Sequence, residues 1–320
     1  MEIALTFSLV FSICLKIMKK TLAFLTLSQL FVLPLLAQDC NKTCLEDIAD
    51  QYRVAYLAHD PTAVAIAETV RFSENNVEMP FPDATWDTIT EELGPPLTIS
   101  DPVTGQAAIF TVIMQNDTPG FLAARLRVEN REVTEIEHII STRRNLSSPP
   151  TPIGDHENYS HDAAIDVVVP PSDRATREEL MAHARGYFST LERNDGEIRG
   201  TCFIEDAIRR ENGLQFDQIK AGFESGRYFF NNEVRNWPIL VDEERQVALS
   251  RGFIDHKGVL DEYTLTDGTE TRSIFREPHS WAFLEMFAVR DGCIDSVVAT
   301  FITTHYKHPT PWNPEGYHPQ

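Results

Sequence analysis

"RFSENNVEM" at residues 71–79 and "IRRENGLQF" at residues 208–216 write one element twice: a strand, a Glu, an Asn-Asn or Asn-Gly pair and a second short strand. Asn-Asn and Asn-Gly favour the positive φ of a tight turn, so a hairpin corner is predicted at each place. The surroundings repeat as well. Upstream lie two amphipathic helical segments, "CLEDIADQYRVAYLAHD" (44–60) and "TREELMAHARGYFSTLERND" (176–195), each ending in a turn that carries an Asp. Downstream, "SDPVTGQAAIFTVIMQND" matches "VDEERQVALSRGFIDHKG", with a Gln ahead of alternating apolar residues. Then "LRVENREVTEIEHII" matches "FAVRDGCIDSVVATF", each a strand, a tight turn and a second strand of period two. The chain is an internal duplication of one α+β unit. Between the copies, residues 145–175 are rich in Pro, Ser and Asp and lack a helical period, as an interdomain linker does. The expected organisation is a signal region (1–37), a first domain (38–144), the linker (145–175), a second domain (176–308) and a C-terminal tail (309–320).

The segment "KIMKKTLAFLTLSQLFVLPLLAQ" joins a basic cluster to an apolar core and a small residue before Gln38, the pattern of a secretory signal. Cleavage is expected after Ala37 and the true start at Met18. A tandem membrane anchor is the alternative, opposed by apolar runs shorter than the ~20 residues of a spanning helix. The expectation is an exported protein, periplasmic or extracellular, free of the membrane after cleavage. The chain carries 48 acidic against 28 basic residues, which argues against nucleic acid as a partner, since a phosphate backbone calls for a basic surface. Cys40, Cys44, Cys202 and Cys293 follow the signal, and in an oxidising compartment an even count suggests disulfides. Pairing of Cys40 with Cys44 and Cys202 with Cys293 is preferred among three connectivities, with a zinc site the weaker alternative because no second close pair exists. Asn41, Asn116, Asn145 and Asn158 stand in N-x-Ser/Thr sequons.

A helix-first unit that finishes on a long antiparallel hairpin resembles the nuclear transport factor 2-like superfamily, with its SnoaL-like and ketosteroid isomerase-like members, over roughly 44–144 and 176–306. The two-unit pattern also resembles a tandem family of uncharacterised secreted fungal and bacterial proteins. The resemblance implies two cone-shaped domains, each a curved antiparallel sheet wrapped on N-terminal helices around a conical pocket. It implies a Tyr on the first helix nine positions, inclusive, before the turn Asp, a spacing met by "YRVAYLAHD" (Tyr52 to Asp60) and "YFSTLERND" (Tyr187 to Asp195). It places the proton-shuttling carboxylate of the first strand on Glu74 and Glu211. A phenol that stabilises oxyanion charge beside a carboxylate that moves a proton is a workable pair. The late-strand Asp of the isomerases falls on Phe121 and Ala282, so steroid isomerisation is not implied. For each Glu the alternative is an exposed carboxylate beside Arg71 or Arg209, and for each Tyr a packed ring with a satisfied hydroxyl.

The second unit has the more varied polar residues. On a strand Trp281, Phe283 and Glu285 share one face, which makes Glu285 a candidate pocket carboxylate under an aromatic wall. His256, His279 and His305 are candidate substrate-binding residues, against readings of "HKG" as a hairpin tip with a solvated His and of His305 as an ordinary strand residue. In the first unit His59 and Trp86 are the counterparts, against a helix-terminus His and a core Trp. No Ser-His-Asp order, Gly-rich phosphate loop or His-x-x-x-His spacing occurs. The expected function is a cofactor-independent lyase or isomerase, dehydratase-like, acting on a small, partly apolar molecule. The alternative is a non-catalytic binding or dimerisation protein, paired as a homodimer or through its own two units.

Overall fold

The computed structural model describes residues 40–143, 149–161 and 163–312; the signal region, Asn145 and residues 313–320 lie outside them. The first unit opens with helix α1 (Lys42–Ala58), started by Asn41, whose Oδ1 accepts from the Cys44 amide at 3.0 Å, and ended by His59 in the left-handed region at φ 52°. Seven strands follow: β1 (Ile66–Glu74), β2 (Val77–Met79), β3 (Ile89–Glu92), β4 (Leu97–Asp101), β5 (Gln106–Gln115), β6 (Thr118–Glu129) and β7 (Glu132–Thr142). The second unit repeats the order with α2 (Arg177–Glu192), β8 (Phe203–Glu211), β9 (Leu214–Phe216), a short α3 (Ile219–Glu224), β10 (Glu233–Asp242) and β11 (Val247–His256). It then inserts the small hairpin β12 (Glu262–Thr264) and β13 (Glu270–Arg272) before β14 (His279–Arg290) and β15 (Cys293–His305). Thr176 and Glu179 form a reciprocal capping box at the start of α2.

The sheets run β2-β1-β7-β6-β5-β3, with β4 also on β5, and β10-β11-β14-β15-β8-β9. The α+β expectation stands, but the sheets are mixed rather than antiparallel: β1 lies parallel to β7, and β8 parallel to β15. No hairpin joins these two neighbours in either unit. The chain reaches the last strand only through the rest of the unit, so the connection leaves their direction free.

Both corners are left-handed at both turn positions, with φ of 50° and 65° at Asn75 and Asn76 and 46° and 76° at Asn212 and Gly213. The leading Asn also does something the turn chemistry alone does not require. Its amide donates to the last strand (Asn75 to His138 O at 2.8 Å, Asn212 to Ala299 O at 3.1 Å), and its Oδ1 accepts from that strand two residues on, from Ile140 and Phe301. The side chain therefore continues the parallel ladder one step past the turn.

Each unit has its own core between helix and sheet, around Leu45, Tyr52 and Ile136 in the first and Leu180, Phe188 and Phe287 in the second. A third core lies between the sheets, where Ile99, Phe110 and Ile139 meet Leu249, Phe253 and Met286. The units are thus paired within the chain. Swapped ion pairs flank the contact: Lys42 at the start of α1 binds Asp242 at 2.6 Å, and Arg177 at the start of α2 binds Asp101, which also accepts from the Val241 amide at 3.0 Å. Deeper in, Glu137 sits between Arg125 and Arg251, at 2.8 and 2.7 Å. The described part of the linker is packed: Tyr159 donates to Phe110 O at 2.9 Å, and Ile165 is buried in the third core. The tail returns to the first unit, where the Trp312 indole donates to Ser73 Oγ at 2.7 Å. Cys40–Cys44 and Cys202–Cys293 form the two expected disulfides, so no thiolate remains among them for zinc. Among the described residues no helix is long and apolar enough to cross a membrane.

The corners differ, Asn-Asn against Asn-Gly, and the second one lies against Phe121 of the first unit and Asp155 of the linker. A Cβ at position 213 would stand 2.5 Å from Phe121 Cζ and 3.0 Å from Asp155 O. Gly213→Asn, which copies the first corner, is expected to destabilise the chain by about 1–3 kcal/mol through overpacking, whereas Asn76→Gly is expected to cost far less. Thermal unfolding of both variants checks this, and equal losses would refute the contact as the cause.

Candidate functional site

On β8, alternation turns Ala207, Arg209 and Glu211 inward, and on β14 it turns Trp281, Phe283 and Glu285 the same way. The cross-strand register sets Glu285 beside Ala299 and Ala299 beside Glu211, so the two carboxylates occupy one row on alternate strands with a small residue between. They line a cavity of about 580 Å³ in the second unit, together with Tyr187, Arg209, Tyr228 and Trp281. Helix α2 supplies Tyr187, and the segment after α3 supplies Tyr228. From the linker, Pro152 closes part of the wall.

Arg209 organises the floor. Its guanidinium donates to the hydroxyls of Tyr187 and Tyr228, both at 3.0 Å, stands 3.1 Å from Glu211 Oε1, and lies over the rings of Phe216 and Tyr228. Burial pushes the Tyr187 hydroxyl well above its ordinary value, so it stays protonated. Burial also raises the Glu211 carboxyl, opposed by the charge of Arg209. Glu285 has no cation of its own. Burial, and then the charge of Glu211, push its carboxyl up to about 8, against the favourable influence of Arg209 and a hydrogen bond with Tyr187. Its Oε1 is buried without a hydrogen-bond partner among the described residues. The floor holds a neutral carboxylic acid and a second carboxyl paired with a guanidinium.

The matching place in the first unit is filled. Tyr52 is fully buried, and its hydroxyl meets His138 Nε2 at 2.7 Å; Nδ1 of that ring is 3.7 Å from Glu74, which accepts from the Thr85 amide at 3.1 Å. Trp86 is buried against Tyr52, Tyr56 and Phe81, and the space that is open in the second unit is occupied by their rings. The imidazole of His59, at the end of α1, meets Trp86 O at 2.9 Å.

The histidines of the second unit fall in another row, His256 beside His279 beside His305. His256 is not the solvated tip of a hairpin: it is wholly buried, stacked on His279 with ring centroids 4.6 Å apart and packed against Phe275 and Trp281. Burial brings its imidazole down to about 3, so the ring is neutral. The pair stands outside the cavity lining, behind Trp281 and Phe230, and His305 is exposed at the end of β15. The late-strand positions Phe121 and Ala282 also lie outside the cavity lining. Ala282 faces the third core, and Phe121 packs on Tyr159 and the Gly213 corner. Glu285 is three residues on from Ala282, on the opposite face of the strand.

Arg209 as the organiser was legible in the parity of "AIRRE", because it shares a face with Glu211. Tyr228, Phe230 and the covering segment 257–278 were not marked by any periodicity. For the segment 257–278 the one sequence signal was a length mismatch: β5 and β6 are joined by Asn116 and Asp117 alone, while β11 and β14 are joined by 257–278.

A family model described as "Domain of unknown function (DUF8021)" matches residues 173–301, the second unit with its cavity. No curated protein matches the chain. Among solved structures, the chain is similar to PrhC from Penicillium brasilianum (17% identity, TM-score 0.29, 40% of this chain and 82% of that one). It is also similar to an NTF2-like protein from Cytophaga hutchinsonii (10% identity, TM-score 0.28, 40% and 99%). A third similarity is to an uncharacterised protein with a cystatin-like fold from Caulobacter vibrioides (14% identity, TM-score 0.24, 39% and 88%).

The raised Glu285 carboxyl has a thermodynamic consequence. Between the ordinary carboxyl value of 4.5 and about 8, the folded chain holds a proton that the unfolded chain has released. Stability therefore falls as pH rises through that window. Glu285→Gln, neutral at every pH, is expected to lose less stability than wild type between pH 5 and 8, as read from unfolding midpoints across the range. Parallel pH profiles for the two proteins would show that Glu285 is ionised like an ordinary carboxylate.

Proposed function

We propose that the second unit is an exported, cofactor-independent lyase or isomerase that moves a proton on a small, largely apolar molecule, and that the first unit is its structural partner. The observation that carries this reading is the pair of carboxyls, Glu211 and Glu285, in one row on the cavity floor, with the Arg209 guanidinium 3.1 Å from Glu211. Glu211 takes a proton from carbon and becomes neutral. Glu285 gives its proton to the developing oxyanion or to a departing hydroxide, which leaves as water, and becomes the carboxylate. The sum of charges on the floor is unchanged, so no net charge is created in the low-dielectric interior. Tyr187, protonated and oriented by Arg209, donates to the same oxygen. The two disulfides fit export into an oxidising compartment.

Ring opening of 5-nitrobenzisoxazole tests the floor directly, because a base removes the proton from carbon while the nitrogen–oxygen bond breaks to give a phenolate nitrile. Wild type is expected to exceed Glu211→Gln by about 10²-fold, the low end of general-base contributions, with a rate that rises as Glu211 ionises. Phe72→Leu in the first unit is expected to change it little. Equal rates for wild type and Glu211→Gln would overturn the proton-transfer reading and leave a binding protein.

A further inference from the structure

Exposure orders the cavity lining along an axis. Tyr187, Arg209 and Glu285 are buried at one end, while Arg227, Arg272 and Ile274 are exposed at the other. The acidic residues of the lining, Glu211 and Glu285, both belong to the floor, and the charged lining residues at the mouth are Arg227 and Arg272. Among the described residues no carboxylate stands within ion-pair distance of Arg227. Arg272 shares Asp261, at 3.4 Å, with Arg276, and reaches Glu262 at 3.6 Å. The lip is tied together where the Tyr263 hydroxyl donates to Arg227 O at 2.7 Å, which joins the inserted hairpin to the segment after α3. Two guanidinium groups at the entrance are unexpected on a chain of net charge −20. Between mouth and floor the wall is apolar and aromatic: Leu191, Phe216, Ile254, Trp281 and Phe301.

From this gradient we infer that the cavity takes an amphipathic monoanion: an apolar, aryl or alkyl body along the wall, with one carboxylate or sulfonate at the mouth between Arg227 and Arg272. The inference names the ligand class for the cavity treated above and rests on its being a ligand site, independently of proton transfer. An anion at the lip gains charge-assisted hydrogen bonds from two guanidinium groups, while the apolar wall excludes a second charge deeper in. The lip also fixes direction, since it points the uncharged end of the ligand at Glu211 and Glu285.

Two dyes that differ only by a sulfonate test this: 1-anilinonaphthalene-8-sulfonate and its neutral parent N-phenyl-1-naphthylamine. Titrated fluorimetrically at neutral pH, wild type is expected to bind the sulfonate about tenfold more tightly than the parent, with a preference that shrinks as salt rises. Arg227→Gln/Arg272→Gln is expected to bring the two affinities together by weakening the sulfonate alone. Leu191→Trp, which fills the cavity, is expected to abolish binding of both dyes. Equal affinities in wild type, a preference that survives the double substitution, or binding that survives Leu191→Trp would each overturn the inference. Glu211→Gln separates the two readings: it is expected to keep the dye preference while losing benzisoxazole opening. Loss of the preference with turnover intact would remove the ligand class alone.

Discussion

The contact between the two sheets is the constraint on which the other features depend. Each sheet packs one face on its own helix and the other on its twin, so its central strands are buried on both sides. Strand β11 is buried at all ten positions, which is why it lacks the alternation of a half-exposed strand. Apolar burial in the third core supplies the driving force. The ion pairs Lys42–Asp242 and Arg177–Asp101 add direction: the first residues of each helix read the hairpin of the other unit. Buried pairs of this kind contribute little net free energy against apolar contacts, yet removing one partner strands the other, so they fix register.

With the scaffold written twice and its outer faces committed, divergence is left to the concave side. Following the shared register, Phe72 of the first unit corresponds to Arg209, Ala124 to Glu285 and His138 to Ala299. In the first unit His138 meets the Tyr52 hydroxyl and stands 3.7 Å from Glu74, and aromatic rings close the space. In the second, the small Ala299 leaves room, a second acid enters from β14, and Arg209 stands where Phe72 packs. Three exchanged side chains on the sheet, the first unit's Trp86 and Phe81, and the second unit's insertion separate the filled core from the charged cavity.

The repeated pattern, the corners and the disulfide pairs were legible because each shows in residue identity or period without knowledge of the packing. Asn-Gly chooses a turn, a helical period shows over four turns, and cysteines are few. Glu211 and Tyr187 could be named from the resemblance and Glu285 from strand parity, but not their partnership, which depends on the Glu285–Ala299–Glu211 register that brings β8 beside the distant β15. The parallel pairing of β8 with β15 was invisible for the same reason. His256 shows the opposite failure: "DHKG" reads locally as a solvated tip, but the residues that bury it, Phe230 and Phe275, arrive from outside the hairpin. The gradient from cationic mouth to acidic floor likewise comes from segments with no periodicity of their own.

A hollow of about 580 Å³ is expensive for one small unit, because the lining side chains forgo the contacts that a packed core would supply. The duplicated architecture offsets that loss without filling the cavity. The first unit, packed solid around Trp86 and Tyr52, lends its sheet to the third core, and the linker and tail lay Tyr159 and Trp312 across the junction. The second unit keeps an unpartnered acid, a buried Arg–Glu pair and an open mouth beside a first unit with its own packed core.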